Sequence, residues 1–421
     1  MRVTILEQRY AGGHFLHYVA RLIRALEGVA DEIVLATPQA CAASSQYGVY
    51  LRPLEDRFRT HPVWERWTQH NKPVHRLAFI YADLLKGVIR DTRCDAILVP
   101  GADGLAEATG LARLALRNAI PKSVHAEALI IRGPIAYGFD QRRRTAFLQK
   151  LAMRAMPFDR VHFIDPVVYR WARSLSTGLA NRCRFVPDPI DPPSTIDKRE
   201  ARQQLGWPTN ARIALSIGPQ DDRKGTDVLV NATARAKLGP DDRIVLAGQI
   251  VKPLRAQIDA MMDADPTLRS RLILVDRYLS TDEFGAAMRA ADLIVAPYKP
   301  QPHPSGVTLQ AAAAGRMVLT SHVGWFEHIV PVFGLGMTCD CQSVHALAEA
   351  LPVAIERSTT FETCQASRKL LAFHQPESFA RAWRAGLLER LGRTPDADVP
   401  DWDALVRSVT SEASPEVGHG R

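Results

Sequence analysis

The sequence predicts an α/β protein with two doubly wound parallel sheets in tandem. Three observations carry that expectation. Short segments that are apolar throughout, such as Arg212–Ile217 and Leu293–Ala296, recur between amphipathic helical stretches. Strands of that kind are covered on both faces, which is the condition of parallel sheets with helices on either side. The alternation also stops at Asp188–Pro193, a Pro-rich linker composition, and then starts again. Finally, 421 residues exceed one ordinary core and fit two.

Taken in order, Val3–Leu6 is a first strand, followed by Gly12 and Gly13 and a helix with Phe15, Val19, Leu22, Ile23 and Leu26 on one face. Glu32–Ala36 is the next strand. Residues 55–70, polar and aromatic with Trp64 and Trp67, read as an element between strands. Leu77–Arg90 is helical, Cys94–Pro100 is a strand with Gly101 and Gly104 beyond it, and Leu105–Arg117 is a helix. Ala128–Ile131 and Arg160–Ile164 are buried strands separated by a basic helix, and Arg184–Pro187 closes the first half. The second half runs from a helix at Asp197–Leu205 into Arg212–Ile217 and Gly218. The Arg223-Lys224-Gly225 loop and a helix capped by Thr226 follow. Arg243–Ala247, Leu272–Val275 and Leu293–Ala296 come next. Then Ser305 and Gly306 open a helix that Gly315 ends before Met317–Thr320. Pro376–Arg393 is one amphipathic helix, and the acidic, polar tail from Thr394 reads as disordered apart from a short turn at Trp402–Val406.

The apolar fraction of 46% and charged fraction of 23% are those of a soluble globular chain. No apolar run approaches the roughly 18 to 20 residues that span a bilayer. Met1–Leu6 leads directly into Glu7 without a secretory core, so a cytoplasmic location is expected. The six cysteines are scattered. Cys339 and Cys341 form a pair with no second pair, which reads as ordinary reduced thiols rather than a metal site. The net charge of +8 is unevenly placed: residues 1–195 carry 27 Lys and Arg against 18 Asp and Glu. That surplus reads as a solvated basic face, or as one meeting an anionic membrane surface or lipid-phosphate acceptor. No zinc-finger spacing, aromatic sheet signature or basic helix of steady period supports nucleic acid.

Two turns carry the chemistry. Gly218 through Gly225 lies between a buried strand and a helix, with Arg223 offering a bidentate fork and Lys224 a point charge. Ser305-Gly306 sits at the equivalent end of a later strand, where free backbone N–H groups and a helix dipole favour phosphate or sugar hydroxyls. Gly12 and Gly13 permit close approach at the first strand's end. His125 precedes a buried strand and reads as either structural or functional.

These features together resemble the retaining family-four glycosyltransferases of the GT-B fold. The resemblance rests on the Gly12-Gly13 loop, Phe185–Pro189, Gly218 with Arg223-Lys224-Gly225, Leu246–Gly248, Leu272–Leu279 with the helix from Asp282, Ala291–Tyr298, Ser305–Thr320 and the terminal helix with Trp383. It covers roughly residues 1–393 and is strongest over 212–330. The resemblance implies two Rossmann-like domains facing an interdomain cleft. These are an acceptor-side domain at 1–190, a nucleotide-sugar domain at 191–375, a crossover helix at 376–393 packing on the first, and a tail at 394–421. It implies sugar transfer from a nucleotide-diphosphate donor to a glycan, glycolipid or other acceptor, in cell-surface polysaccharide synthesis, with retained configuration, no cofactor and no metal. Arg223 and Lys224 would hold the diphosphate, and Ser305, Gly306 and Val307 the donor sugar and phosphate. Arg277 and Tyr278 would meet the base and Gln310 the ribose, while His125 would line the cleft. The family's E-x7-E pattern is absent, since Gln310 stands at its distal position and no carboxylate stands at the proximal one, where His303 is a substitute in place but not in charge. Pro219 also stands where the family carries an Arg. A nucleotide-sugar-binding relative without turnover, acting as sensor or assembly partner, and a nucleotide-sugar epimerase are the alternative readings.

Overall fold

The computed structural model describes residues 1–10, 15–64, 74–138, 143–299, 304–396 and 398–411. The chain divides into two compact units, one of Met1–Pro189 with His374–Trp402, the other of Ile190–Phe373 with the residues from Asp403 onward.

The first unit is a seven-stranded sheet whose strands are β1 (Arg2–Leu6), β2 (Glu32–Pro38), β3 (Arg59–Val63), β4 (Ala96–Val99), β5 (His125–Ile130), β6 (Arg160–Phe163) and β7 (Cys183–Phe185). Their order is β3-β2-β1-β4-β5-β6-β7, and every pairing is parallel. The pleat sends alternate residues to opposite faces. On β4, Ile97 and Val99 join a core cluster with Leu85 and Phe163, whereas Ala96 and Leu98 join a second cluster with Leu16, Leu22 and Trp383. Apolar throughout, the strand serves both layers. Residues 55–70 differ from their expected role, because Arg59–Val63 is the edge strand β3. An edge strand needs only one neighbour, so it tolerates Arg59, His61 and Pro62.

The helix Pro376–Arg390 belongs to this first unit. Phe379, Trp383 and Leu387, spaced four residues apart, bury into the cluster that contains Leu16 and Ile23. Phe379 stacks on Tyr18 with ring centroids 5.8 Å apart. Gly386 makes the approach possible, since a Cβ there would lie 1.9 Å from Glu127 Oε1. Where a short turn at residues 402–406 is expected in an otherwise disordered tail, the structure has a longer helix, Trp402–Thr410, anchored by Trp402, whose ring stacks on Phe185 at 4.9 Å.

The second unit holds β8 (Arg212–Ile217), β9 (Asp242–Ala247), β10 (Leu272–Val275), β11 (Leu293–Ala296), β12 (Met317–Ser321) and β13 (Gly336–Cys339). The order is β10-β9-β8-β11-β12-β13, again parallel throughout. Strand order reverses between β8 and β11, where Leu293 pairs with Ala214. In such sheets the crevice beyond the carboxyl ends of the two central strands is the place for ligands. The loops following β8 and β11 are the two turns singled out above. Among the described residues, no helix is long and apolar enough to cross a membrane.

Candidate functional site

The loop after β8 is shaped by glycines and one buried amide. Gly218 has φ +97° and Gly248, after β9, has φ +133°, both in the region that favours glycine. A Cβ on Gly248 would stand 2.1 Å from Gly218 O, so the two loops touch through bare backbone. Gln220 is fully buried. Its Nε2 donates to Gly218 O at 2.9 Å, and its Oε1 accepts from Thr226 Oγ1 at 2.8 Å. Thr226 is therefore the first residue of the helix Thr226–Arg235 rather than its cap, which is Gly225. Its hydroxyl is spent on Gln220. Gly225 has φ +67°, and a Cβ there would lie 2.1 Å from Pro297 O. Asp221 Oδ1 accepts from Lys224 N at 3.0 Å and closes the turn.

Two cations occupy this turn. Lys224 is 6% exposed, its ammonium donates to Ile217 O, and it lies 5.3 Å from the centroid of the Tyr298 ring. Arg223 is half-exposed, with its guanidinium 3.7 Å from Asp221 Oδ2 and 5.5 Å from the same ring centroid. Tyr298, just beyond β11, is buried and stacks on Phe326 at 5.5 Å. Burial works to raise its phenol. The charge of Lys224, hydrogen bonding with Ser305 and the charge of Arg223 outweigh that and hold the phenol below its ordinary value. Ser305 caps the helix Gly306–Ala313, with its Oγ accepting from Thr308 N at 3.3 Å. Gly306 and Val307 form the first helical turn, and Gln310 stands half-buried in the second.

Gly218, Arg223, Lys224 and Ser305, with Gly306 and Val307 beside it, thus gather at the β8/β11 reversal. The arrangement offers two positive side chains and one helix N-terminus to an anion. Arg277 and Tyr278 lie beyond the edge strand β10, two strands away from β8. Arg277 is engaged with Glu283 through paired contacts of 2.9 and 2.6 Å. That pairing comes first among the causes, before Ser280 N–H, that hold the Glu283 carboxyl at about 2. Tyr278 is 81% exposed. Gly12, Gly13 and His303 lie outside the described residues.

His125 is inside β5 rather than ahead of it, at its first position. Its Nε2 meets Glu127 Oε1 at 2.6 Å, and His162 Nε2 meets the other carboxylate oxygen at 2.6 Å. Residues two apart on a strand share a face, and His162 sits opposite on β6, so the three side chains converge. Burial works to raise Glu127, and the two imidazoles outweigh it, bringing the carboxyl to about 2. This end of β5 is the amino edge of the sheet, opposite the carboxyl edge where ligands are expected.

Sequence reasoning passed over several residues. Tyr298 acts through contacts between distant segments, and Gln220 through its own loop and Ala247 O on β9. In the first unit, Glu7 and Arg9 follow β1 directly and are 2% and 5% exposed. Glu7 Oε1 accepts from Arg9 N at 2.9 Å, and Arg9 Nη1 is 3.6 Å from Asp103 Oδ2. They sit at the β1/β4 reversal of that sheet. The signal available was a run of polar residues closing an apolar strand. Among the described residues no group of three His, Cys, Asp or Glu side chains could hold a metal ion, and the Cys339 and Cys341 sulfurs lie 3.6 Å apart.

Residues 211–357, which contain this site, match the family model described as Glycosyl transferases group 1. No curated protein matches the chain in sequence. Solved structures match nearly its whole length. Sucrose-phosphate synthase from Thermosynechococcus elongatus superposes with a TM-score of 0.67 at 19% identity, over 93% of this chain and 98% of that one. Anabaena HepE in complex with UDP gives 0.65 at 15% identity, over 93% and 100%. WaaG, a glycosyltransferase involved in lipopolysaccharide biosynthesis, gives 0.60 at 16%, over 90% and 98%.

Proposed function

From the GT-B type of fold that the two parallel sheets and these likenesses give the chain, we propose that the protein is a glycosyltransferase that moves a sugar from a nucleotide-diphosphate donor to a glycan, glycolipid or other acceptor with retention of configuration. The observation that carries the reading is the gathering of Arg223, Lys224 and the Ser305-capped helix at the β8/β11 reversal, within the segment that matches the family. In the reaction the bond between the anomeric carbon and the diphosphate oxygen breaks, and its electron pair leaves on phosphate. The acceptor hydroxyl bonds to the same face of the sugar and gives up its proton to the departing phosphate oxygen. Charge therefore grows on the diphosphate as the bond breaks, and fixed cations there lower the barrier. Arg223 and Lys224 supply that charge from the protein, the ground for proposing that no metal or cofactor is required. Gly218, Ser305, Gly306 and Val307 approach the phosphate and sugar, and Gln310 the ribose. Arg277 and Tyr278 are assigned to the base, Arg277 being released from Glu283 to do so.

A role in cell-surface polysaccharide synthesis fits that of WaaG in lipopolysaccharide biosynthesis. The surplus of positive charge in residues 1–195 supports a cytoplasmic protein that docks on the anionic inner face of a membrane. One observation favours a second reading, a nucleotide-sugar-binding relative without turnover. Gln310, a neutral amide, is the half-buried side chain in the second turn where a carboxylate is expected from the resemblance.

Incubation with UDP-, GDP- and ADP-sugars separates the readings. Release of nucleoside diphosphate supports transfer, binding without release supports the second reading, and an isomerised donor supports an epimerase. Lys224→Ala should lower turnover by about two orders of magnitude, the scale of one lost electrostatic contact. Unchanged turnover rejects its assigned role. Sedimentation with phosphatidylserine vesicles should weaken steeply with salt, and salt-independent or absent sedimentation removes the membrane proposal.

A further inference from the structure

We propose that Tyr298 is a positioning residue of the diphosphate site, the platform that sets Lys224 and Arg223 against the capped start of the helix Gly306–Ala313. The inference rests on the reading of that site as a diphosphate site. Three contacts carry it, and they come from two separate segments of the second unit. The ring is held by Phe326, itself 1% exposed, with planes 20° apart. Lys224 Nζ and Arg223 Cζ lie 5.3 and 5.5 Å from the ring centroid, within the range at which an aromatic face attracts a cation. Lys224 has three N–H groups, of which Ile217 O takes one.

The backbone on both sides of Tyr298 docks the same turn. Pro297 O packs against Gly225 so closely that no Cβ fits between them, and Lys299 N donates to Arg223 O at 3.1 Å. Without a ligand, two like charges beside each other repel. A fixed aromatic face keeps both near one place, so that less ordering is left for the ligand to bring about.

A double-mutant cycle tests the idea by titration calorimetry with UDP, GDP and ADP. Wild type that binds none of the three overturns the diphosphate reading itself. If it binds, Tyr298→Leu, which removes the aromatic face, should weaken binding about tenfold, the scale of a desolvated cation–π contact. In a Lys224→Ala background the same change should cost distinctly less. Unchanged binding in Tyr298→Leu, or an equal loss in both backgrounds, overturns the inference. Should Tyr298→Leu lower the melting temperature, Phe326→Leu decides through the same cycle, because it loosens the platform and leaves the tyrosine in place. Loss that depends on Lys224 supports the proposal, and additive loss sinks it.

Discussion

Gly225 is doubly constrained, since it combines φ +67° with a backbone neighbour 2.1 Å from where a Cβ would stand. Gly225→Ala should cost about 1 to 3 kcal/mol of stability and displace the Arg223-Lys224 turn. Its melting temperature and nucleoside-diphosphate affinity should fall together, and retention of both would show that the loop has room to adapt. Gln220 is a second single-residue dependency. Leucine there leaves the buried hydroxyls of Thr226 and Ser216 without the carbonyl they now share, at a cost of about 1 to 3 kcal/mol. Denaturant titration of Gln220→Leu checks it. Gly218 and Gly225 were readable in the chain as turn formers. Gln220 was not, because a loop glutamine gives no local sign that it folds back onto Gly218 and Thr226, and its contact with Ala247 O needs β8 and β9 paired.

Among the elements, the helix Gly306–Ala313 is only eight residues long, and in so short a helix the cap matters. Ser305→Ala should lower stability by about 1 kcal/mol, whereas Ser305→Thr should retain most of it. Thermal melts of the pair read this directly, and equal melts would mean that packing alone holds the helix. The strands with apolar runs, β4, β8 and β11, were legible because burial on both faces demands such runs. β3 and β13 were not. Arg59–Val63 is polar and contains Pro62, and Gly336–Cys339 is short, so neither has the pattern of a buried strand. Both are edges, where one neighbour supplies the hydrogen bonds and the sequence is less constrained.

For the chain as a whole, the cluster of His125, Glu127 and His162 ties β5 and β6 to the helix Pro376–Arg390, where Trp383 lies 4.3 Å from the His162 ring. The helix is separated from those strands by more than 180 residues of sequence, yet it belongs to the same unit. Glu127 is depressed from 4.5 to about 2. A carboxylate with a depressed value contributes stability that is present above about pH 4.5 and is lost as the pH falls toward 2. His162 is held below 6.5, by burial first, so its protonation also opposes folding and its contribution fades as the pH drops below 6.5. Melting temperatures of wild type should therefore decline on acidification from pH 6.5. Glu127→Gln should be less stable by about 2 kcal/mol at pH 7 and should lack the further decline below pH 4.5. Parallel acid limbs in the two proteins would remove Glu127 from the account.

The amino-acid sequence alone determined the two-sheet α/β class, the break near residue 190, and the two turns that hold Arg223, Lys224 and Ser305. Each of these is written in local periodicity, in glycines at strand ends or in a helix cap, and local chemistry is what a linear chain displays. Tertiary structure decided which residues gather around those turns. It brought Tyr298 under both cations, turned the Lys224 ammonium onto Ile217 O, committed Arg277 to Glu283, and set His125 at the amino edge of its sheet with Glu127. Register and strand order govern these outcomes. They arise from pairing between segments far apart in the chain, for which no single stretch of sequence carries the information.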